Sequence, residues 1–151
     1  MSWSGSAWSL VTAPPSANKS TFRSVSCTAP TDCEAVGTSV AAHWNGATWS
    51  RQPTTTLATV SCSSGMCQGV GTSLIAGHKK RWRLFAERLD GKRWVKEEIA
   101  ARNKEDPTPQ AVSCASRSMC MMVGNYTKKA PKSERSYTLG PYAPLAEKYS
   151  G

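Results

Sequence analysis

The chain has 151 residues, 39% of them hydrophobic, and a net charge of +9. That is one domain's worth of sequence with enough apolar material for a core, and no run approaches the ~20 apolar residues of a membrane-spanning helix. With two histidines and no nucleophile elbow, phosphate loop or paired-carboxylate motif, the chain offers nothing from which to build an active site, so no enzyme, cofactor or metal is expected.

In chain order, Trp3-Ser4-Gly5-Ser6-Ala7-Trp8 comes first and returns as Trp44-Asn45-Gly46-Ala47-Thr48-Trp49 and, more loosely, as Leu89-Asp90-Gly91-Lys92-Arg93-Trp94. Asn-Gly and Asp-Gly between extended residues signal hairpins whose central positions take positive φ. The Trp after each turn opens a returning strand and is expected to pack between sheets. Residues 13–20 read as a linker.

Repeat one, about 21–53, is read as strands at Phe22–Cys27, Cys33–Thr38, Val40–Trp44 and Thr48–Gln52, a four-stranded antiparallel meander. Repeat two, about 57–100, follows the same course with Leu57–Cys62, Cys67–Ser73, Arg81–Leu89 and Arg93–Ile99. Residues 100–109 form a charged, Pro-ended connector. Repeat three, about 110–151, begins with Gln110–Cys114 and Cys120–Tyr126, and its third strand is interrupted by Gly140-Pro141 and Pro144. It ends with Leu145-Ala146-Glu147-Lys148-Tyr149-Ser150-Gly151, which matches Phe85 to Gly91. Repeat three therefore lacks a fourth strand, and residues 1–12 carry an unmatched one that completes it. The whole is a single all-β domain, 1–151.

The three repeats share one core motif. Val-Ser-Cys, a short gap, a second Cys and then Val-Gly occur at Val25–Gly37, Val60–Gly71 and Val112–Gly124. The pairs Cys27/Cys33, Cys62/Cys67 and Cys114/Cys120 each flank a turn of four or five residues and face each other across a hairpin. Zinc is the alternative, but zinc knuckles usually separate their ligands by two residues. Disulfides fit better, at about 2 kcal/mol each from loop closure. They imply an oxidising compartment. The start of the chain has no basic n-region and no apolar h-region, so the chain reads as a mature or excised piece of an extracellular or cell-surface protein.

Val-Ser-Cys … Cys-x-x-Val-Gly … Trp-Asn-Gly-x-x-Trp resembles a Cys-paired repeat of uncharacterised secreted actinobacterial proteins, over nearly the whole chain. The resemblance implies a β-propeller-like array of four-stranded meanders. Its turn is also similar to the Asp-box hairpin of sialidase-like propellers, without that motif's Ser-x-Asp-x-Gly spacing. Propellers need at least four blades. Two chains would make a closed six-bladed ring as a homodimer, each first strand completing a blade of its partner or its own. The alternative is a fragment of a longer array.

The charge is lopsided, +1 over residues 1–76 and +8 over the rest. The basic residues fall in loops between second and third strands: Lys79, Lys80 and Arg81 beside Trp82, and Lys128, Lys129, Lys132 and Arg135 between Tyr126 and Tyr137. In a propeller these loops share one face, a common binding surface, with the aromatics available for stacking. His78 is not expected to ligate a metal, since there is only one other histidine, His43, and no carboxylate cluster lies beside either. The expectation is a non-catalytic binding module for a surface glycan, cell-wall polymer or protein. The alternatives are a polyanion or nucleic-acid binder acting through the basic loops, and a purely structural assembly unit.

Overall fold

The computed structural model describes residues 1–12, 20–75, 82–99, 105–127 and 142–150. These residues form β-strands and turns, with no helix among them. Strands β1 (Ser2–Trp3) and β2 (Trp8–Ser9) make a small hairpin. Sheet 1 is the meander β3 (Phe22–Ala29), β4 (Asp32–Gly37), β5 (Val40–Trp44) and β6 (Trp49–Gln52). Sheet 2 repeats it with β7 (Leu57–Ser63), β8 (Met66–Leu74), β9 (Trp82–Asp90) and β10 (Arg93–Glu98). Sheet 3 has three strands: β11 (Glu105–Ser116), β12 (Met119–Thr127) and β13 (Tyr142–Ser150). Every pairing is antiparallel, as the alternation along the chain predicts.

Each residue of the repeated motif has a mechanical reason. The cysteines are directly opposite one another and form three disulfides, Cys27–Cys33, Cys62–Cys67 and Cys114–Cys120. The glycine of Val-Gly lies where the chain enters the repeat's first strand. A Cβ on Gly37, Gly71 or Gly124 would come within 1.8, 2.2 or 2.3 Å of the carbonyl oxygen of Thr21, Thr56 or Thr108. The serine of Val-Ser-Cys reaches the next sheet: the amide of Cys62 donates to Ser26 Oγ (2.9 Å), and the amide of Cys114 to Ser61 Oγ (3.0 Å). The first strands of the three sheets thus run side by side, β3 against β7 and β7 against β11.

The core lies between the sheets. Val36 and Ala41 of sheet 1 pack against Leu57, Val60, Cys67 and Phe85 of sheet 2, with Trp94 at the margin. Val70 and Leu84 on the other face of sheet 2 pack against Met122 and Leu145 of sheet 3. Polar ties add to this. Thr54 and Thr55, in the connector between sheets 1 and 2, donate to the buried Glu87 carboxylate at 2.7 and 2.6 Å, and Trp94 Nε1 donates to Gln52 Oε1 at 2.8 Å.

The structure departs from the sequence reading at four places. The N-terminal strand does not complete repeat three within the chain: β2 pairs with β1, and no strand lies beyond β13 among the described residues. The stretch read as the end of a connector, 105–109, is already strand, so the third unit begins at Glu105 rather than Gln110. Pro107 and Pro109 are tolerated because β11 is an edge strand, where a missing N–H removes no ladder bond, and Pro144 is accommodated in the same way on the other edge, β13. The hairpin turns centre one residue later than expected. Only Gly5, Gly46 and Gly91 take positive φ there, and Asn45 precedes the turn, where its Oδ1 accepts from the amides of Ala47 and Thr48. Of the tryptophans, Trp94 joins the inter-sheet core, whereas Trp3 and Trp8 pair with each other in the exposed N-terminal hairpin, their rings 5.7 Å apart.

Replacing Gly71 by Ala drives a methyl group into the Thr56 carbonyl and is expected to destabilise the chain by about 3 kcal/mol. Ser61→Ala, which loses one hydrogen bond between sheets, is expected to remove about 1 kcal/mol. Urea unfolding of the two variants, followed by Trp fluorescence, checks both size and order.

Candidate functional site

The most chemically distinctive part of the described structure is a pocket between sheets 1 and 2 with a polar cluster in its wall. The two-residue turn at Thr38-Ser39 pairs Gly37 with Val40, and that register places Glu34 of β4 directly opposite His43 of β5. Their side chains meet, His43 Nδ1 lying 2.9 Å from Glu34 Oε1. Gln52 of β6 donates from Nε2 to the same oxygen at 3.3 Å, and is itself held by Trp94 of sheet 2. Asp32 Oδ1 lies 3.7 Å from His43 Nδ1, and Thr28 Oγ1 donates to Asp32 Oδ2.

Glu34 is buried, and its Oε2 has no hydrogen-bond partner among the described residues. Burial pushes its carboxyl up from 4.5 to about 7, with a small further push from the Asp32 charge; His43 and the Gln52 amide pull in the opposite direction. Near neutral pH the Glu34 carboxyl therefore exchanges between its ionised form and a form that carries an O–H donor.

These groups border a cavity of about 510 Å³, closed on the other side by Leu89, Gly91 and Lys92 of sheet 2. Carboxyl, imidazole and amide groups converge there with the hydroxyls of Thr28 and Ser50. Closely spaced groups able both to donate and to accept suit a ligand rich in hydroxyls.

A related layer recurs on sheet 2. Gln68 Nε2 donates to Glu97 Oε2 at 2.9 Å, and Arg88 Nε to Glu97 Oε1 at 3.0 Å. Gln68, Arg88 and Glu97 occupy the register positions of Glu34, His43 and Gln52, with amide and carboxylate exchanged between the second and fourth strands. The sheet 1 version differs in having an imidazole in place of the guanidinium and a buried carboxyl.

The cavity sits away from Trp82, a described member of the expected basic face. Trp82, exposed, opens β9 opposite Leu74, at the end of sheet 2 remote from the Gly91-Lys92 turn that borders the cavity. Lys79, Lys80, Arg81, Lys128, Lys129, Lys132 and Arg135, like His78 and Tyr137, lie outside the described residues. Tyr126, expected as a stacking surface, instead packs half-buried against the Val70–Leu145 core. The reading that no carboxylate cluster adjoins His43 is corrected: strand pairing puts both Glu34 and Asp32 beside it. The signal was the sequence offset. Once the turn is placed at 38–39, residues 34 and 43 must face one another.

Among the described residues, no group of three or more His, Cys, Asp or Glu side chains is arranged to hold a metal ion, and no helix is long and apolar enough to cross a membrane. Compared with protein-family models, curated proteins and solved structures, the chain matches none of them.

The raised Glu34 carboxyl has a signed consequence for stability. Between about pH 4.5 and 7 the folded chain holds a proton that the unfolded chain releases. This contribution is fully present below about 4.5 and is lost as pH rises through about 7. In urea midpoints measured from pH 4 to 8, Glu34→Gln is expected to flatten that decline.

Proposed function

We propose that this chain is a non-catalytic, extracellular binding module of β-propeller-like build that takes a glycan or cell-wall polymer between sheets 1 and 2. The observation that carries the reading is the Glu34–His43–Gln52 network on the cavity wall, with one buried carboxyl oxygen left unpaired. A buried polar atom without a partner costs about 1–3 kcal/mol, and a ligand hydroxyl would recover part of that. The lining groups fit sugars, which present adjacent hydroxyls able to donate and accept. The three disulfides favour a compartment outside the reducing cytosol, and the repeat resembles that of secreted proteins.

A second reading, binding of an anionic polymer, draws on the charge of +8 carried by residues 77–151. Salt separates the two. Polyanion binding falls steeply between low and moderate salt because counterions are released, whereas hydroxyl recognition changes little.

The test is a pull-down on insoluble polysaccharides and peptidoglycan, followed by calorimetry on soluble fragments of any polymer retained. Retention that persists in moderate salt is expected, with His43→Ala and Glu34→Ala each weakening it at least tenfold, about 1.4 kcal/mol. Circular dichroism checks that both variants stay folded. Retention unchanged in both variants, or on none of the polymers, overturns the reading.

A further inference from the structure

The two ends of the row of sheets are unlike its interior. Val36 and Val70, the valines of Val-Gly in sheets 1 and 2, are 0% and 3% exposed because the next sheet covers them. Val123 occupies the same position in sheet 3 and is 49% exposed. Ala146, paired with it on β13, is exposed where Ala41 and Ala86 are buried. The opposite end shows the converse. Val60, in the Val-Ser-Cys of sheet 2, is 5% exposed beneath sheet 1, whereas Val25 in sheet 1 is 60% exposed. Phe22, at the register position of the buried Leu57, is exposed with it.

The polar tie between sheets is interrupted at the same two ends. Ser26 and Ser61 accept from the Cys amides of the following sheets. Ser113 holds the same position in sheet 3, is exposed, and has no hydrogen-bond partner among the described residues. The Cys27 amide, equivalent to those of Cys62 and Cys114, lies on the edge of β3 with no preceding sheet beside it among the described residues.

From these two observations we infer that a second copy of this chain docks head to tail, its sheet 1 covering sheet 3 of the first copy by the contact that already joins sheets 1 to 2 and 2 to 3. Val25 and Phe22 of one copy fill the place over Val123 and Ala146 of the other, and the Ser113 hydroxyl accepts from the partner copy's first Val-Ser-Cys amide. The arrangement is mutual, so two copies close six sheets into a ring with no end face exposed.

The occupant is a second copy because the uncovered faces are the two halves of one contact that this chain already makes twice. That contact is apolar and carries a serine–amide bond in fixed register. A charged polymer or a membrane surface supplies neither.

The test is the mass in solution, by light scattering without reductant, of the chain and of two variants. The unaltered chain is expected at twice its 16.3 kDa. Val25→Glu and Val123→Glu are each expected to raise the dissociation constant at least tenfold, since each removes an apolar side chain from both contacts of the ring. An equimolar mixture of the two variants keeps one intact contact and is expected to regain association. Both residues are exposed in the single chain, so circular dichroism and melting of the variants are expected to match the parent at low concentration. A monomer at the highest soluble concentration overturns the proposal and leaves the end faces to other repeats. A dimer that survives both substitutions overturns it as well, and a ladder of higher multiples overturns the closed pair.

Discussion

The amide of Cys62 donates to the Ser26 hydroxyl, and the amide of Cys114 to that of Ser61; the placement of the sheets relative to one another follows from this contact. A four-stranded meander has two faces and cannot bury both alone. By joining first strand to first strand, the serines set each sheet on the next in one register. Val60 then falls over Val36, and Met122 over Val70. A shift by one residue would turn the apolar set outward and carry the serine away from the amide. The glycine of Val-Gly belongs to the same constraint, because the chain entering each first strand passes too close for a side chain.

The pocket is a by-product of that geometry. Sheets 1 and 2 are drawn together along β3 and β7, while the cavity is bordered chiefly by later strands and their turns. In this outer zone polar side chains replace the apolar core, held by Trp94 on Gln52 and, through the connector, by Thr54 and Thr55 on Glu87. The recurrence of the polar layer on sheet 2 as Gln68–Arg88–Glu97 shows that its basic form is structural. What is particular to sheet 1 is the exchange of a permanently charged guanidinium for an imidazole, beside a carboxyl that burial has raised to about 7. A structural layer has there been given a carboxyl that changes protonation near neutral pH.

Much of the fold was legible because repetition removes the ambiguity of short strands. Val40–Trp44 has only five residues, too few to separate strand from helix by periodicity, yet its place after Cys-x-x-Val-Gly and before Trp-Asn-Gly decides it. The cysteine pairs were legible for the same reason. Residues 105–109 were misread because proline and charge signal a connector locally, and only the edge position of β11 makes them acceptable in a strand. The site was hardly legible. Glu34 and His43 are nine residues apart and belong to no motif; their meeting depends on the register of one hairpin. Tyr126 looked free to stack, but its burial against Val70 and Leu145 depends on how sheet 3 sits on sheet 2.

The amino-acid sequence by itself determined the all-β class, the meander units and the disulfide pairs. Those properties rest on interactions between residues close along the chain, where spacing alone says which groups can meet. Tertiary structure decided which valines are covered, which carboxyl loses its water and which serine finds an amide. These depend on sheets packed face to face, between residues about 35 to 55 apart, and the valine of Val-Ser-Cys is buried in sheet 2 and open in sheet 1 because, among the described residues, only sheet 2 has a sheet packed before it.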